Sequence, residues 1–417
     1  MGGRPHGLFR RGETSRRVMQ SPIRMAKKLN AHNVLVVNTA VWEGLSRLPY
    51  LLHQAGCHVS LMAPESSYAA RSGFVDHHFI APSDPDAALD VLHHHLETQA
   101  TPYDWVIMGD DPLLYALGRR QHEAWVSRVF PAHFTPNGLA FVVSKIAFIT
   151  QCHAAGVAMP DFRVCHDTAA LTQAAVQLKF PLVLKSEQGF AGNAVFVVPD
   201  AQALATCPAA YPLIAQAFVP GKTGSAAAIF NHGKLVCWFS YLRERTWGAL
   251  GPSTAVKFQY MPELQPMLTK LGHLSGYHGL CGVDFIQHAQ TGDIVLLEQN
   301  FRPTLTMNLG KRVGVDFASA LHTLLTGGAK DHGDGAIDTG TQPHPPITQK
   351  ETIQTTVPLF PTDVFRAIDD KDWAGLLRWL LKASWWRELS WHDIPLLRYN
   401  LKQIALRPLR SALRTGS

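Results

Sequence analysis

Short uninterrupted apolar runs open the ordered part of the chain. Val34-Leu35-Val36-Val37 and Trp105-Val106-Ile107-Met108 read as strands buried on both faces, and residues 58–62 read as a third. Between the first two strands in sequence, Leu48, Leu51 and Leu52 recur at helical spacing, and Gly56 stops that helix. This βαβ rhythm predicts a small doubly wound, Rossmann-like domain over residues 32–130. From residue 180 the pattern changes to strand pairs joined by turns. Residues 181–185 pair with 194–198 around a Gly-containing turn, 226–230 with 235–241 around Asn231-His232-Gly233-Lys234, and 283–286 with 294–297 around Gln290-Thr291-Gly292-Asp293. Helical spacing returns at 144–150 and 317–325. The fold class is therefore α/β, becoming α+β in residues 131–326.

The ends of the chain break both patterns. Residues 1–31 are rich in Arg, Ser and Gly, with Glu13 the only acid, and read as a disordered basic tail rather than an organellar transit peptide. Residues 327–350, rich in Gly, Asp, His and Pro, read as a linker. Residues 351–417 form a helical region holding Trp373, Trp379, Trp385, Trp386 and Trp391, half of the ten tryptophans, among leucines and basic residues. Such basic amphipathic helices pack on the protein's own core, pair with a second copy, or lie on an anionic membrane.

Composition narrows the function classes. With 417 residues, 46% hydrophobic and 17% charged, the chain can bury a sizeable core in two or three domains. No apolar run approaches the roughly 18 residues a membrane-spanning helix needs. The net charge of +6 is concentrated at the two ends, which argues against a nucleic-acid groove through the body. Six scattered cysteines without a C-x-x-C spacing suit free thiols in a reducing, cytoplasmic setting. The triplet His93-His94-His95 is a poor metal-ligand set, because consecutive residues of a helix point in different directions.

The candidate chemistry lies on two hairpins. In the stretch 282–304, Asp284 sits on the first strand, with Glu298 and Asn300 at the end of the second. Glu298 and Asn300 point the same way, and pairing through the hairpin can bring Asp284 beside them. Two carboxylates and an amide oxygen are hard ligands suited to Mg²⁺. Arg302 follows on the same face, where it could meet an anion. An ordinary hairpin with solvated acids is the competing reading. It fits Asp293 and Gln287 but fits Glu298 poorly, since that acid follows the run Ile294-Val295-Leu296-Leu297. On the other hairpin, Lys185 ends a strand, and Gly189 and Gly192 free the following turn to approach phosphates with backbone N–H groups. The loop at 38–44 is not G-x-G-x-x-G, which argues against a dinucleotide site. Asn38, Thr39, Asp110 and Asp111 at strand ends are weak candidates for substrate contacts, against a reading as turn and cap residues.

Asp284-Phe285, the turn at 290–293 and Leu297-Glu298-Gln299-Asn300-Phe301-Arg302-Pro303 resemble the metal-binding strands of the ATP-grasp superfamily. The run 180–198 is similar to the lid of that family, and Gly156 to Pro160 to the approach to it. The resemblance covers roughly residues 33–325 and is nearest to bacterial carboxylate-amine ligases. It implies an ATP-grasp fold behind a Rossmann-like pre-ATP-grasp domain, with the small lid at about 155–218. It implies ATP and Mg²⁺ as cofactors, with Mn²⁺ able to substitute. Asp284, Glu298 and Asn300 would hold the metal. Lys145, Lys185, Gly189 and Gly192 would bind phosphates, and Gln216, Ala217 and Val219 would lie at the adenine hinge. Lys185, Arg243 and Arg302 would act in the reaction. The chain departs from the family pattern in three places: Ser144 replaces the acid usual before Lys145, Gln216-Ala217 stands where an acid is common, and Thr223 or Lys222 stands near the usual ribose-binding acid. The implied reaction activates a small-molecule carboxylate as an acylphosphate and joins it to an amine, less often a thiol. An ATP-binding assembly protein recruited to a membrane, or a small-molecule kinase, remains the alternative.

Overall fold

Strands β1 (His32–Val37), β2 (Cys57–Ala63), β3 (His77–Ile80) and β4 (Trp105–Met108) form a parallel sheet in the order β3-β2-β1-β4. This computed structural model describes residues 32–187, 195–208, 210–248, 251–327, 345–350 and 355–414, with backbone only for 409–414. Val34 to Val37 are all buried, as their unbroken apolar run requires of a central parallel strand. The chain runs outward from β1 to β3, then returns to place β4 on the other side of β1. The loops after β1 and β4 therefore meet at the point where strand order reverses, the usual ligand-facing place in such sheets.

The predicted lid is a separate antiparallel sheet. Strands β5 (Phe162–Cys165), β6 (Leu182–Ser186), β7 (Val195–Val198) and β8 (Leu213–Ala217) run in the order β5-β8-β6-β7. Its small core joins Leu182, Leu184, Leu213 and Ala215 to Leu171 and Ala174 of the helix Thr168–Leu178.

The third sheet carries the floor of the cleft. It comprises β9 (Gly221–Asn231), β10 (Lys234–Thr246), β11 (Ser253–Phe258), β12 (Gly279–His288), β13 (Ile294–Asn300), β14 (Ile347–Thr348) and β15 (Thr356–Pro358). Their order is β13-β12-β9-β10-β11-β15, with β14 pairing in parallel with Cys237 and Trp238 of β10. The last two strands revise the expected boundaries. Residues 327–350 are not linker throughout, because Ile347 and Thr348 enter the sheet. Beyond 350, Thr356–Pro358 is a strand rather than helix, with Val357 of β15 opposite Val256 of β11.

The C-terminal helices are then tied to the body by buried charge. Arg245 Nη2 lies 2.9 Å from Asp363 Oδ2, and the Trp379 indole N–H donates to the same carboxylate at 2.9 Å. Arg47 donates to the Phe360 carbonyl at 2.9 Å. Phe360, Val364, Trp379, Trp385 and Leu397 make a satellite apolar core. This matches the expectation of packing on the protein's own core for Trp379 and Trp385, but not for Trp373, Trp386 and Trp391, which are exposed. His93 stays on the surface, 3.1 Å from Glu97, and among the described residues no group of three or more His, Cys, Asp or Glu gathers at a metal-ligand spacing. All six cysteines are free thiols.

Candidate active site

Strand register brings the predicted residues together. Asp284 of β12 lies directly opposite Glu298 of β13, and Gly282 opposite Asn300. Asp284 is in turn opposite Ser225 of β9, which is opposite Tyr241 of β10. Glu298, Asp284, Ser225 and Tyr241 therefore form one row across four strands, and all four line a cleft of about 340 Å³. That volume is at the small end of the ~300–1,000 Å³ typical of ligand pockets. Alternation turns Gln299 to the opposite face, where its amide donates toward the Cys281 thiol, and leaves Glu298 and Asn300 facing the cleft.

Two carboxylates directly opposed across strands repel each other unless a cation sits between or beside them. The protein supplies part of that charge. Arg243 Nη2 donates to Asp284 Oδ2 at 2.7 Å, and Asp284 is the main cause that raises the Arg243 pKa, against burial. Lys185 reaches in from the lid, 8% exposed, and its Nζ donates to the Leu297 carbonyl at 3.2 Å. Burial pushes its pKa below the ordinary lysine value, with Glu298 opposing the shift and Lys145 adding to it. Lys145 also lines the cleft, in the first turn of the helix Lys145–Ala154. Ser144, which replaces the acid expected before it, is the N-cap, its side chain accepting from Ala147 N. Glu187 of the lid accepts from Ile146 N at 3.0 Å in the same turn.

This set of side chains fits a divalent cation. The Asp284 oxygen not bonded to Arg243, the Glu298 carboxylate and the Asn300 amide are hard oxygen donors converging on one wall. Glu298 accepts no hydrogen bond from a described residue, and Lys185, Arg243 and Arg302 feel its charge at longer range. Asn300 Oδ1 faces Arg302 Nη2 at 3.3 Å.

Arg302 has a role that its position in the sequence does not show. It is buried, its Nη2 lies 2.9 Å from Asp111 Oδ2, and its guanidinium stands 5.4 Å over the Trp42 ring. Burial opposes its charge, but Asp111 and Glu298 outweigh it and raise the pKa. Of the weak strand-end candidates, Asp111 thus lies in the cleft. Asp110 does not: its carboxylate caps the helix Asp111–Arg119 at Leu113 N and holds Thr39 and Ala40 of the loop after β1. That is the cap reading for Asp110 and Thr39.

Not every expected residue reaches the cleft. Gln216, Ala217 and Val219 are absent from its lining. The Ala217 N–H donates to the Asp161 carbonyl at 2.8 Å, and the Gln216 amide nitrogen is buried without a partner among the described residues. Gly189 and Gly192 lie outside the described residues. Conversely, the cleft includes Trp42, Glu43, Tyr115, Ser225, Tyr241, Leu359 and Thr362, which carried no signal. Ser225 and Tyr241 follow only from register, and Leu359 and Thr362 only from the docking of β15. Burial raises the Glu43 carboxyl above the usual range and pushes the Tyr115 hydroxyl well up, with Asp111 and Glu298 adding to the latter.

Comparison with known proteins agrees with this architecture. Residues 142–306 match the family model of the ATP-grasp domain. No curated protein matches the chain significantly by sequence. Among solved structures, the fold is similar to N5-carboxyaminoimidazole synthetase from Staphylococcus aureus complexed with ADP, at 11% identity and a TM-score of 0.59, covering 83% of this chain and 87% of that one. It is similar to a biotin carboxylase from Campylobacter jejuni at 13% identity and a TM-score of 0.55, covering 72% and 71%. An L-amino acid ligase from Bacillus licheniformis aligns at 16% identity and a TM-score of 0.51, covering 70% and 74%. The chain carries an ATP-grasp domain, in an ATP-grasp fold built behind a parallel α/β domain.

Proposed function

We propose that the protein is an ATP-dependent ligase that activates a small-molecule carboxylate and joins it to an amine. One observation carries the reading: two opposed carboxylates, Asp284 and Glu298, share a cleft with Lys145, Lys185, Arg243 and Arg302. Such a cleft suits a polyphosphate that arrives with a divalent cation. The solved structures named above include a synthetase complexed with ADP and an amino acid ligase, which supports the same class.

In this reading Asp284, Glu298 and Asn300 would hold Mg²⁺, with Mn²⁺ able to replace it. The bound ion would neutralise phosphate charge and orient the triphosphate. Lys185 and Lys145 would bind phosphate oxygens from the lid and from the helix N-terminus. Phosphoryl transfer needs positioning and charge neutralisation more than covalent help. Arg243 stands on β10, between the strands of Asp284 and Glu298 and the Gly251-Pro252-Ser253 segment of the cleft lining, and would hold the carboxylate substrate. Arg302, kept in one orientation by Asp111 and Trp42, would steady negative charge as the amine displaces phosphate from the acylphosphate.

The test is a panel of carboxylates assayed for ADP release with and without hydroxylamine. A carboxylate-dependent hydroxamate is expected. A stable phosphorylated product and no hydroxamate would make the protein a kinase instead.

A further inference from the structure

Half of the large apolar side chains exposed among the described residues fall within residues 373–401. The helix Trp373–Leu381 shows why. Trp373, Leu377, Leu380 and Leu381 recur at the i, i+4, i+7, i+8 spacing that makes one apolar stripe. On a surface helix that stripe normally faces the core. Here it faces outward: Trp373 is 71% exposed, Leu380 69% and Leu381 75%. The inward position is taken by Trp379, 7% exposed and fixed to Asp363. The helix is therefore well seated, with its apolar stripe uncovered.

The neighbouring turn extends the patch. Trp386 and Trp391 are 48% and 55% exposed, yet both rings are held in place. The Trp386 indole N–H donates to the Trp379 carbonyl at 2.8 Å, and that of Trp391 to the Trp386 carbonyl at 2.6 Å. Their polar edges are satisfied internally, so the rings are presented with little conformational freedom left to lose.

Charge then selects what covers the patch. Arg378, Lys382 and Arg387 are exposed within it, and none is ion-paired to a described residue. The two carboxylates between 373 and 402 are both buried and used inside the protein: Glu388 pairs with Arg312, and Asp393 accepts from Ser72 and the Gly73 N–H. Asp369 and Asp370, exposed just before Trp373, are already paired to Arg407 and Arg366. An apolar patch rimmed by cations, with no exposed acid between 373 and 402, would set like charges against each other across a symmetric pair of copies. It complements a surface that is apolar below and anionic above.

We propose that this face docks on an anionic lipid bilayer, with Trp373, Leu380, Leu381 and Trp386 entering the interfacial region and Arg378, Lys382 and Arg387 meeting lipid phosphates. The docking is peripheral, since no described helix is long and apolar enough to cross a membrane. It is independent of the ligase reading and places the cleft's chemistry at a membrane surface.

The experiment is flotation of the full chain with vesicles of phosphatidylcholine alone or mixed with phosphatidylglycerol, alongside sedimentation velocity without lipid. Binding to the anionic vesicles should exceed that to the neutral ones at least tenfold and weaken with added salt. The double variant L380D/L381D, with an unchanged melting curve, should lose it. The charge-reversal variant R378E/R387E should lose most of it. Three results would overturn the proposal: no binding to either vesicle, binding that persists in L380D/L381D, or a dimer in solution that L380D/L381D converts to monomer. The last would assign the face to a second copy.

Discussion

The Arg243 guanidinium lies 2.7 Å from Asp284 and so occupies one oxygen of the carboxylate that faces Glu298. That bond fixes the direction of the second oxygen, as outer partners commonly do for a metal-binding carboxylate. Arg243 also stands between the opposed acids and the Gly251-Pro252-Ser253 side of the cleft. In the proposed reaction, truncating it would remove both the orientation of Asp284 and a cation near the transferring phosphoryl group. Arg243→Ala is expected to lower turnover by about 100-fold or more, on the order of losing one preorganised charge-stabilising donor. Arg243→Lys should recover only part of this, because an ammonium cannot reproduce the planar fork. ADP release at saturating ATP measures both.

Lys185 gives a pH signature. Its pKa in the folded protein is lowered, chiefly by burial, so it loses its proton below the ordinary value of 10.5. Nucleotide affinity should fall as pH rises through that lowered pKa. The alkaline limb should vanish in Lys185→Arg, which stays charged. The same shift acts on stability with the opposite slope. Between the lowered pKa and 10.5 the unfolded chain holds more protons, so stability rises with pH across that window. Lys185→Met should flatten this rise while weakening nucleotide binding by about 10-fold or more, from the loss of a charge-assisted contact. Titrations of a fluorescent ATP analogue and thermal melts across the alkaline range separate the two effects.

Asp111 and Arg302 join the parallel domain to the hairpin strand of the third sheet, at 2.9 Å and with both side chains mostly buried. Removing one partner of a fully buried pair costs about 3–5 kcal/mol. Discounted for the residual exposure here, Asp111→Ala is expected to destabilise by roughly 2 kcal/mol. Urea unfolding monitored by tryptophan fluorescence gives the figure. Asp110→Ala should also destabilise, by about 1 kcal/mol for a lost helix cap, but with nucleotide binding intact, because its carboxylate serves the loop and not the cleft.

Much of this architecture was legible in the sequence because local pattern and tertiary burial agree. The run 34–37 is apolar throughout because both faces of β1 are covered, and Trp105 to Met108 became β4 at the limits its pattern set. Asp284, Glu298 and Asn300 could be placed together because a hairpin's register follows from its turn. The limits have the same origin. Ser225 and Tyr241 join the row of Glu298 and Asp284 through β9 and β10, whose pairing with β12 is not local. Residues 347–348 read as linker because a two-residue strand has no period, and β15 was hidden for the same reason. The hinge at Gln216 to Val219 was placed by resemblance, and here its Ala217 N–H serves the lid's own backbone. The tryptophan-rich helices could be recognised as amphipathic, but which face points outward depends on Trp379 finding Asp363.

In the proposed function, Asp284 and Glu298 together bring a divalent cation and a nucleotide into one cleft. Equilibrium binding of a non-hydrolysable ATP analogue, measured with and without Mg²⁺ for the unmodified protein and for Glu298→Gln, tests it most directly. Mg²⁺ should strengthen binding to the unmodified protein, and Glu298→Gln, with an unchanged melting curve, should lose that enhancement. Equal Mg²⁺ enhancement in both proteins would contradict the account.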